Sequence, residues 1–355
     1  MIDKMISKKA MKLEAYKVEE KVRGILLDKN EAPWNVDDVI RKGIAEKLLS
    51  MEFNRYPDNA CTELKNELSW YTGAGVDSIC IGNGSDELIQ ITLQTFIDPG
   101  DKIVIQSPTF SMYKIYASMC GAEVKEYILN DSFEFDLDAY IEFILKENPK
   151  LIIICNPNNP TGGRLEIAEL EKILKNYSGI VLVDEAYFEF SGLTAAGLVT
   201  MYDNLVVLRT FSKALGIAGL RVGYLLAGSP LVKYFERVRP PYNINAFSQA
   251  AAVEVLRNIS LVKEKIDEIQ AGRDRLTERL MELDGLECFK SWGNFILIRS
   301  PRGLEIYKRL KESGVHIKRF GDVLLRNCLR ITIGSDAENA RLCEIVKEVL
   351  YDKAG

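Results

Sequence analysis

Histidine is almost absent from this chain: its 355 residues include one, His316. A metal site built from several histidines is therefore excluded, and a hydrolytic triad would have to use this single residue. We interpret His316 itself as structural. The scarcity leaves lysine as the ionisable side chain best suited to chemistry near neutral pH.

Paired cysteines, long apolar runs and a basic excess are also missing. The seven cysteines lie far apart without a Cys-x-x-Cys pair, which predicts reduced thiols in a cytoplasmic protein and no metal site. No apolar run approaches the roughly 18 residues of a membrane helix, so we expect no membrane contact. Lys plus Arg number 46 against 51 Asp plus Glu, and a net charge of −5 predicts no nucleic-acid partner.

Short apolar runs alternate with helical patterns between residues 36 and 228. Runs that are apolar on both faces and separated by helices predict an α/β fold, with a largely parallel sheet covered on both sides. The predicted strands are 79–81, 102–106, 151–155, 180–183, 205–208 and 222–227.

The pattern changes after the Pro-Pro pair at 240–241. A long helix is predicted over 247–283, with a bend at Gly272 because glycine is a poor mid-helix residue. Short strands mixed with helices then predict a smaller α+β domain, onto which the N-terminal arm packs. We expect a large domain over 36–245, and a second unit formed by 1–35 together with 246–355.

Four of the predicted strands are followed by polar segments, at the edge where α/β sheets bind ligands. The Gly-Asn-Gly-Ser-Asp turn at 82–86 opens a helix and suits a phosphate, although a simple capping turn is the alternative. Two X-Pro steps in 156–162 hold amide side chains rigidly, unless the segment is only a structural turn. Asp184 ends an apolar strand, where an acid needs a partner; a helix cap or an ion pair would also explain it.

The fourth segment, 209–223, is the most specific because it surrounds Lys213 with serine, small residues and three glycines, and places Arg221 eight positions on. A lysine in a cationic, partly desolvated pocket has a lowered pKa and can form a Schiff base with an aldehyde. A phosphate turn, a rigid asparagine, a buried acid and a lysine together meet the needs of pyridoxal phosphate.

These motifs resemble those of the fold-type-I, pyridoxal-phosphate-dependent aminotransferases, and within them the histidinol-phosphate aminotransferases, over about residues 26–334. The resemblance implies a mostly parallel seven-stranded sheet sandwiched by helices, a smaller α+β domain, and a homodimer with shared active sites. It implies amino-group exchange between histidinol phosphate and 2-oxoglutarate in histidine biosynthesis. An aromatic or other amino-acid aminotransferase, or a threonine-phosphate decarboxylase on the same fold, is the alternative. A non-catalytic effector-binding descendant would have no need of Lys213.

The resemblance also implies a role for individual residues. Lys213 would bond to the cofactor and move the substrate proton, Asp184 would hold the protonated ring nitrogen, and Tyr187 with Asn159 would donate to the phenolic oxygen. The residues expected around the ring face and the phosphate are Phe110, Gly84, Ser85, Asp86, Ser212 and Arg221, with Tyr56 reaching the phosphate of the neighbouring subunit.

For the substrate, the resemblance implies contacts from Arg330, Tyr16, Asn30 and Lys318. A planar guanidinium such as that of Arg330 can grip either a carboxylate or a phosphate with two hydrogen bonds. The chain departs from the family pattern at 317–320, where Lys318 or Arg319 stands in place of the usual second phosphate-binding arginine.

Overall fold

The computed structural model describes residues 5–11 and 23–351. The strands in these ranges are β1 (Ile25–Leu27), β2 (Ile79–Gly82), β3 (Lys102–Ser107), β4 (Glu123–Ile128), β5 (Leu151–Cys155), β6 (Ile180–Asp184), β7 (Leu205–Thr210), β8 (Gly223–Ala227), β9 (Glu287–Phe289), β10 (Phe295–Arg299), β11 (Val315–Arg319) and β12 (Cys328–Thr332). The helices are α1 (Lys8–Met11), α2 (Asp38–Leu49), α3 (Thr62–Thr72), α4 (Gly84–Phe96), α5 (Met112–Cys120), α6 (Leu137–Glu147), α7 (Ile167–Asn176), α8 (Phe188–Ser191), α9 (Ser229–Val238), α10 (Ala246–Arg257), α11 (Ile259–Met281), α12 (Gly303–Glu312) and α13 (Asp336–Tyr351).

Strands β2 to β8 form one seven-stranded sheet in the order β2-β8-β7-β6-β5-β3-β4. Strand β8 runs antiparallel to both of its neighbours, and the pairings from β7 through β4 are parallel. The number of strands and their mostly parallel arrangement agree with what the resemblance implies, while the apolar runs of the sequence predicted six of the seven strands. The carboxyl ends of β5, β6 and β7 consequently lie side by side at one edge of the sheet.

Alternate residues of the central strands enter two separate hydrophobic clusters. In β6, Val181 and Val183 join the cluster that contains α6 and α7, whereas Leu182 between them joins the cluster that contains α4, α5 and α9. Successive side chains of a strand point to opposite faces, so an apolar run is buried on both sides only when helices cover both. The sheet is therefore a sandwiched layer.

A second sheet of five strands has the order β1-β11-β12-β10-β9. Strand β1 pairs in parallel with β11, so the arm residues Ile25–Leu27 do pack onto the second sheet. His316 is buried in β11, opposite Leu26 of β1. The predicted boundary between residues 36–245 and the rest of the chain stays a prediction. The seven-stranded sheet lies within 36–245 and the five-stranded sheet lies outside this range, but the sheets do not determine at which residue the boundary falls.

The prediction of one helix over 247–283 with a bend at Gly272 is wrong. The break lies at Asn258, between α10 and α11, and α11 continues through Gly272 as a buried position. A Cβ atom at Gly272 would approach Cγ2 of Ile333 to 3.4 Å, so the glycine allows close packing of the helix. The prediction treats Gly272 as a flexible position that bends the helix. In the structure, its lack of a side chain allows α11 to pack closely against Ile333.

No helix in the described part of the chain is long and apolar enough to cross a membrane. Within residues 5–11 and 23–351, no group of three or more His, Cys, Asp or Glu side chains is placed to hold a metal ion. All seven cysteines are present as free thiols.

Candidate active site

The polar residues predicted from separate strands meet at the carboxyl edge of the seven-stranded sheet. The register aligns Cys155 at the end of β5 with Asp184 at the end of β6, and Asp184 in turn with Leu208 of β7. The loop that carries Asn159 follows β5, and the loop that carries Lys213 follows β7. Parallel pairing thus brings three residues from distant parts of the sequence to one edge.

Lys213 is half-buried, and its Nζ donates a hydrogen bond of 2.8 Å to the backbone carbonyl of Lys29. Burial lowers the pKa of the amine to about 8, with a further lowering from the positive charges of Arg330 and Arg221. The negative charge of Glu31 opposes this shift. A substantial fraction of the amine is therefore neutral near physiological pH, which a nucleophilic lysine requires.

Asp184 is 3% exposed and receives hydrogen bonds on both carboxylate oxygens. The hydroxyl of Tyr113 donates to Oδ2 at 2.6 Å, and the backbone amide of Ala186 donates to Oδ1 at 3.0 Å. Burial raises the pKa of Asp184 to about 6, and the hydrogen bond from Tyr113 acts in the opposite direction. The group is an ionisable carboxylate held in a fixed orientation away from bulk water.

A cradle of backbone and cationic groups lies at the start of α4, formed by Gly84, Ser85, Asp86, Ser212 and Arg221. Arg221 donates to Ser212 Oγ at 3.3 Å and to Asp86 Oδ2 at 2.8 Å. The first amides of the 13-residue helix α4 face the same region with the positive end of its dipole. The structure thus brings together all five residues predicted for a phosphate site.

Glycine is required in this cradle. Gly84 has a φ of +77°, and a Cβ atom there would lie 2.6 Å from Nη2 of Arg221. A Cβ atom on Gly223 of β8 would lie 2.7 Å from the backbone nitrogen of Ser85. Backbone and guanidinium therefore approach one another as closely as an anion-binding turn needs.

Tyr187 and Asn159 connect this edge of the sheet to the second sheet. Tyr187 is buried, and its hydroxyl oxygen accepts a hydrogen bond of 3.0 Å from Nδ2 of Asn30. The amide oxygen of Asn159 accepts a hydrogen bond of 2.5 Å from Nη1 of Arg330. Because Asn30 donates to the Tyr187 oxygen, the tyrosine proton is directed to a different acceptor.

Arg330 lies in β12 of the second sheet and is mostly buried. Besides its contact with Asn159, its Nη2 donates to the carbonyl of Asp28 at 2.5 Å, and its guanidinium lies 5.6 Å from the ring centroid of Phe295. Phe295 also meets the ring of Tyr187 edge-on at 5.1 Å. The predicted substrate arginine is therefore adjacent to the predicted cofactor residues.

Asn30 is held by the same strand that carries Arg330. Its backbone amide donates to Thr332 Oγ1 at 2.9 Å, and the Thr332 hydroxyl donates to Asn30 Oδ1 at 3.1 Å. Nδ2 of Asn294 donates to the Asn30 carbonyl at 3.1 Å. The residue has a left-handed φ of 55°, a conformation that asparagine tolerates better than most side chains. Together with the bond to Tyr187, four hydrogen bonds fix the backbone and the side chain of Asn30.

The other residues predicted to contact the cofactor or the substrate are Phe110, Lys318, Tyr56 and Tyr16. Phe110 is half-buried and meets Tyr113 edge-on at 5.5 Å. Lys318 is exposed opposite Arg330 in the β11–β12 register. Tyr56 is 80% exposed and stacks on Tyr242 at 4.5 Å. Tyr16 lies outside the described residues.

The comparison with known families agrees with this geometry. The profile of aminotransferase class I and II matches residues 22–346. The chain belongs to the class I and II aminotransferase family. Membership confirms the predicted fold class, and pyridoxal 5′-phosphate is the cofactor of this aminotransferase.

Curated relatives match over nearly the whole chain. The histidinol-phosphate aminotransferase of Thermoanaerobacter pseudethanolicus is 39% identical over 351 residues, which are 99% of this chain and 100% of the relative. The histidinol-phosphate aminotransferase of Caldanaerobacter subterraneus subsp. tengcongensis is 37% identical over 351 residues, with the same coverage. The crystal structure of histidinol-phosphate aminotransferase from Sinorhizobium meliloti, in complex with pyridoxal-5′-phosphate, superimposes with a TM-score of 0.89 over 97% of each chain at 23% identity.

Three features of the site fit pyridoxal phosphate. The cradle of Gly84 and Arg221 suits a phosphate, the amine of Lys213 has a lowered pKa, and the carboxylate of Asp184 is buried. These are an anion-binding turn, a nucleophile for an aldehyde and a partner for a protonated ring nitrogen.

Proposed function

We propose that this aminotransferase exchanges an amino group between histidinol phosphate and 2-oxoglutarate, a step of histidine biosynthesis. The observation that carries the proposal is the position of Arg330, within hydrogen-bond distance of Asn159 at the edge where Lys213 and Asp184 meet. A guanidinium there can hold the carboxylate of glutamate or the phosphate of histidinol phosphate. The relatives that match over nearly the whole chain are named histidinol-phosphate aminotransferases, and this supports the same substrate pair.

The chain's own residues divide the work of the reaction. When bound, pyridoxal phosphate supplies a carbonyl for the substrate amine and a ring that delocalises negative charge. Lys213 holds and releases the proton at the substrate Cα, and Asp184 balances the positive ring nitrogen. Tyr187, oriented by Asn30, and Asn159, oriented by Arg330, would donate hydrogen bonds to the phenolic oxygen of the cofactor.

The second substrate cation in this proposal is Lys318 rather than Arg319. Residues paired on adjacent strands have side chains on the same face, and the register pairs Lys318 with Arg330. The guanidinium of Arg319 lies 5.6 Å from the ring centroid of Tyr307 on α12, which is the other side of the strand. Lys318 therefore takes the place of the family's second phosphate-binding arginine.

The proposed assembly is a homodimer in which Tyr56 reaches the cofactor phosphate of the neighbouring subunit. The exposed, stacked rings of Tyr56 and Tyr242 support it, since exposed aromatic clusters are typical of interfaces. A sedimentation-equilibrium mass of two chains is the expected result, and a single-chain mass contradicts it. The cytoplasmic location stays a prediction from the cysteine pattern.

The substrate is tested by incubating the enzyme with histidinol phosphate and 2-oxoglutarate and measuring glutamate. We expect glutamate to form, and Lys318→Ala to lower kcat/KM for histidinol phosphate about tenfold while that for glutamate stays within about twofold. Arg319→Ala is the matched control and changes neither value. Carbon dioxide released from threonine phosphate, without glutamate formation from histidinol phosphate, would instead establish the decarboxylase alternative.

A further inference from the structure

The hydroxyl of Tyr113 is the side-chain group that contacts Asp184 most closely, at 2.6 Å from Oδ2. Tyr113 lies in the first turn of α5 and is fully buried. A carboxylate in this position has lost its hydration, and a charged group so buried requires hydrogen bonds from the protein. Tyr113 and the backbone amide of Ala186 supply one to each oxygen.

The same turn also positions the side chain predicted to stack on the cofactor ring. Phe110 meets Tyr113 edge-on, with ring centroids 5.5 Å apart, and its carbonyl accepts a hydrogen bond of 3.3 Å from the Tyr113 amide. A phenylalanine at 113 would preserve this packing. The hydroxyl is therefore explained by its bond to Asp184 and not by the shape of the core.

The other groups that face Asp184 disfavour its charged form. They are the carboxylates of Asp86 on α4 and of the adjacent Glu185. The buried thiol of Cys155 on β5 also lies beside Asp184, and the negative charge of Asp184 helps to raise the pKa of that thiol. Asp86 is paired with Arg221, and Glu185 is paired with the buried guanidinium of Arg209 at 3.0 Å. Burial is the largest influence and also favours the protonated acid, so the hydrogen bond from Tyr113 is the principal opposing contact.

We propose that Tyr113 is a positioning residue that keeps Asp184 ionised and immobile, and so prepares it to hold the protonated ring nitrogen of pyridoxal phosphate. Tyr113 acts through Asp184 and contributes no chemistry of its own. The proposal rests on the role given above to Asp184 and extends it to a residue that no sequence motif indicated.

The test measures the dissociation constant of pyridoxal phosphate for the apo-protein between pH 6.5 and 8.5, in the parent and in Tyr113→Phe. Without the hydroxyl, a larger fraction of Asp184 is protonated at low pH, and higher pH restores the carboxylate. We expect the variant to bind about tenfold more weakly than the parent at pH 6.5, with the ratio falling toward one at pH 8.5. A ratio that is the same at every pH overturns the proposal.

Tyr140→Phe is the matched control. Tyr140 is also fully buried, and its hydroxyl has no hydrogen-bond partner among the described residues, so this variant should bind the cofactor like the parent at every pH. An equal, pH-dependent loss in Tyr140→Phe would attribute the effect to buried hydroxyls in general and overturn the proposal. Tyr113→Met, which also lacks the hydroxyl, replaces Tyr113→Phe if the latter yields no folded protein.

A double-mutant cycle separates this inference from the proposed function. In an Asp184→Asn background, Tyr113→Phe should weaken cofactor binding by no more than about twofold, because the carboxylate through which it acts is gone. Additive losses contradict the positioning role. The measurement uses no amino-acid substrate, so a failure here leaves the proposed reaction standing, and a failure of the glutamate assay leaves this result standing.

Discussion

Replacing Asp184 by asparagine is expected to lower kcat/KM at least about a hundredfold. An amide has nearly the shape of the carboxylate but cannot balance a positive ring nitrogen, so proton removal from the substrate loses its electrostatic support. Near-parent turnover in Asp184→Asn would reject the role assigned to this residue.

The same substitution should leave the apo-protein equally stable or more stable at pH 7. Asp184 is 3% exposed, and burial raises its pKa from 3.8 to about 6. A group with a raised folded-state pKa contributes stability below about pH 4 that is lost as the pH rises to about 6. A neutral asparagine avoids this loss, which amounts to at most about 3 kcal/mol. Urea unfolding of apo-protein at pH 7 measures the difference, and strong destabilisation would show that Asp184 serves the fold.

Arg330→Ala is expected to cost about 2–5 kcal/mol of transition-state binding for the donor and for the acceptor alike. The reason is that one guanidinium serves both half-reactions, and a bound anion without its partner is strongly destabilised. This corresponds to a decrease in kcat/KM of roughly 30-fold to several thousandfold for histidinol phosphate and for 2-oxoglutarate.

Arg330→Lys distinguishes charge from geometry, because a lysine retains the cation but carries its donors on one atom and lacks the planar fork with which Arg330 reaches both Asn159 and the Asp28 carbonyl. We expect it to recover part of the activity for both substrates. Thermal unfolding of each variant checks that the β12 contacts have not been lost. A decrease confined to one substrate would contradict the shared use of Arg330.

Much of the fold was predictable because its central strands are apolar on both faces. Runs such as Leu151–Cys155 belong in a covered parallel sheet, and the sequence order of strands and helices then determines which loops meet at the carboxyl edge. Strand β4 (Glu123–Ile128) was not predicted, because it is an edge strand with charged side chains between apolar ones.

Some residues of the site could likewise be predicted from the sequence, and others could not. Lys213 and Asp184 could be predicted from local motifs that follow their strands. Tyr113 could not, because it resembles an ordinary apolar position of an amphipathic helix and its hydroxyl bonds to a residue 71 positions away. Asn30 was expected to contact the substrate, but its partners Tyr187 and Thr332 are 157 and 302 positions distant, and only the folded chain reveals them.

Borohydride reduction of the enzyme loaded with pyridoxal phosphate is the decisive test of Lys213 as the cofactor-binding lysine, because it converts a cofactor–lysine bond into a stable one. We predict a visible absorption band that borohydride removes, and a peptide carrying the reduced cofactor at Lys213 in mass spectrometry. The Lys213→Ala variant should carry no such label. Labelling at another lysine, or a colourless parent enzyme, would contradict the assignment of Lys213 and the mechanism that depends on it.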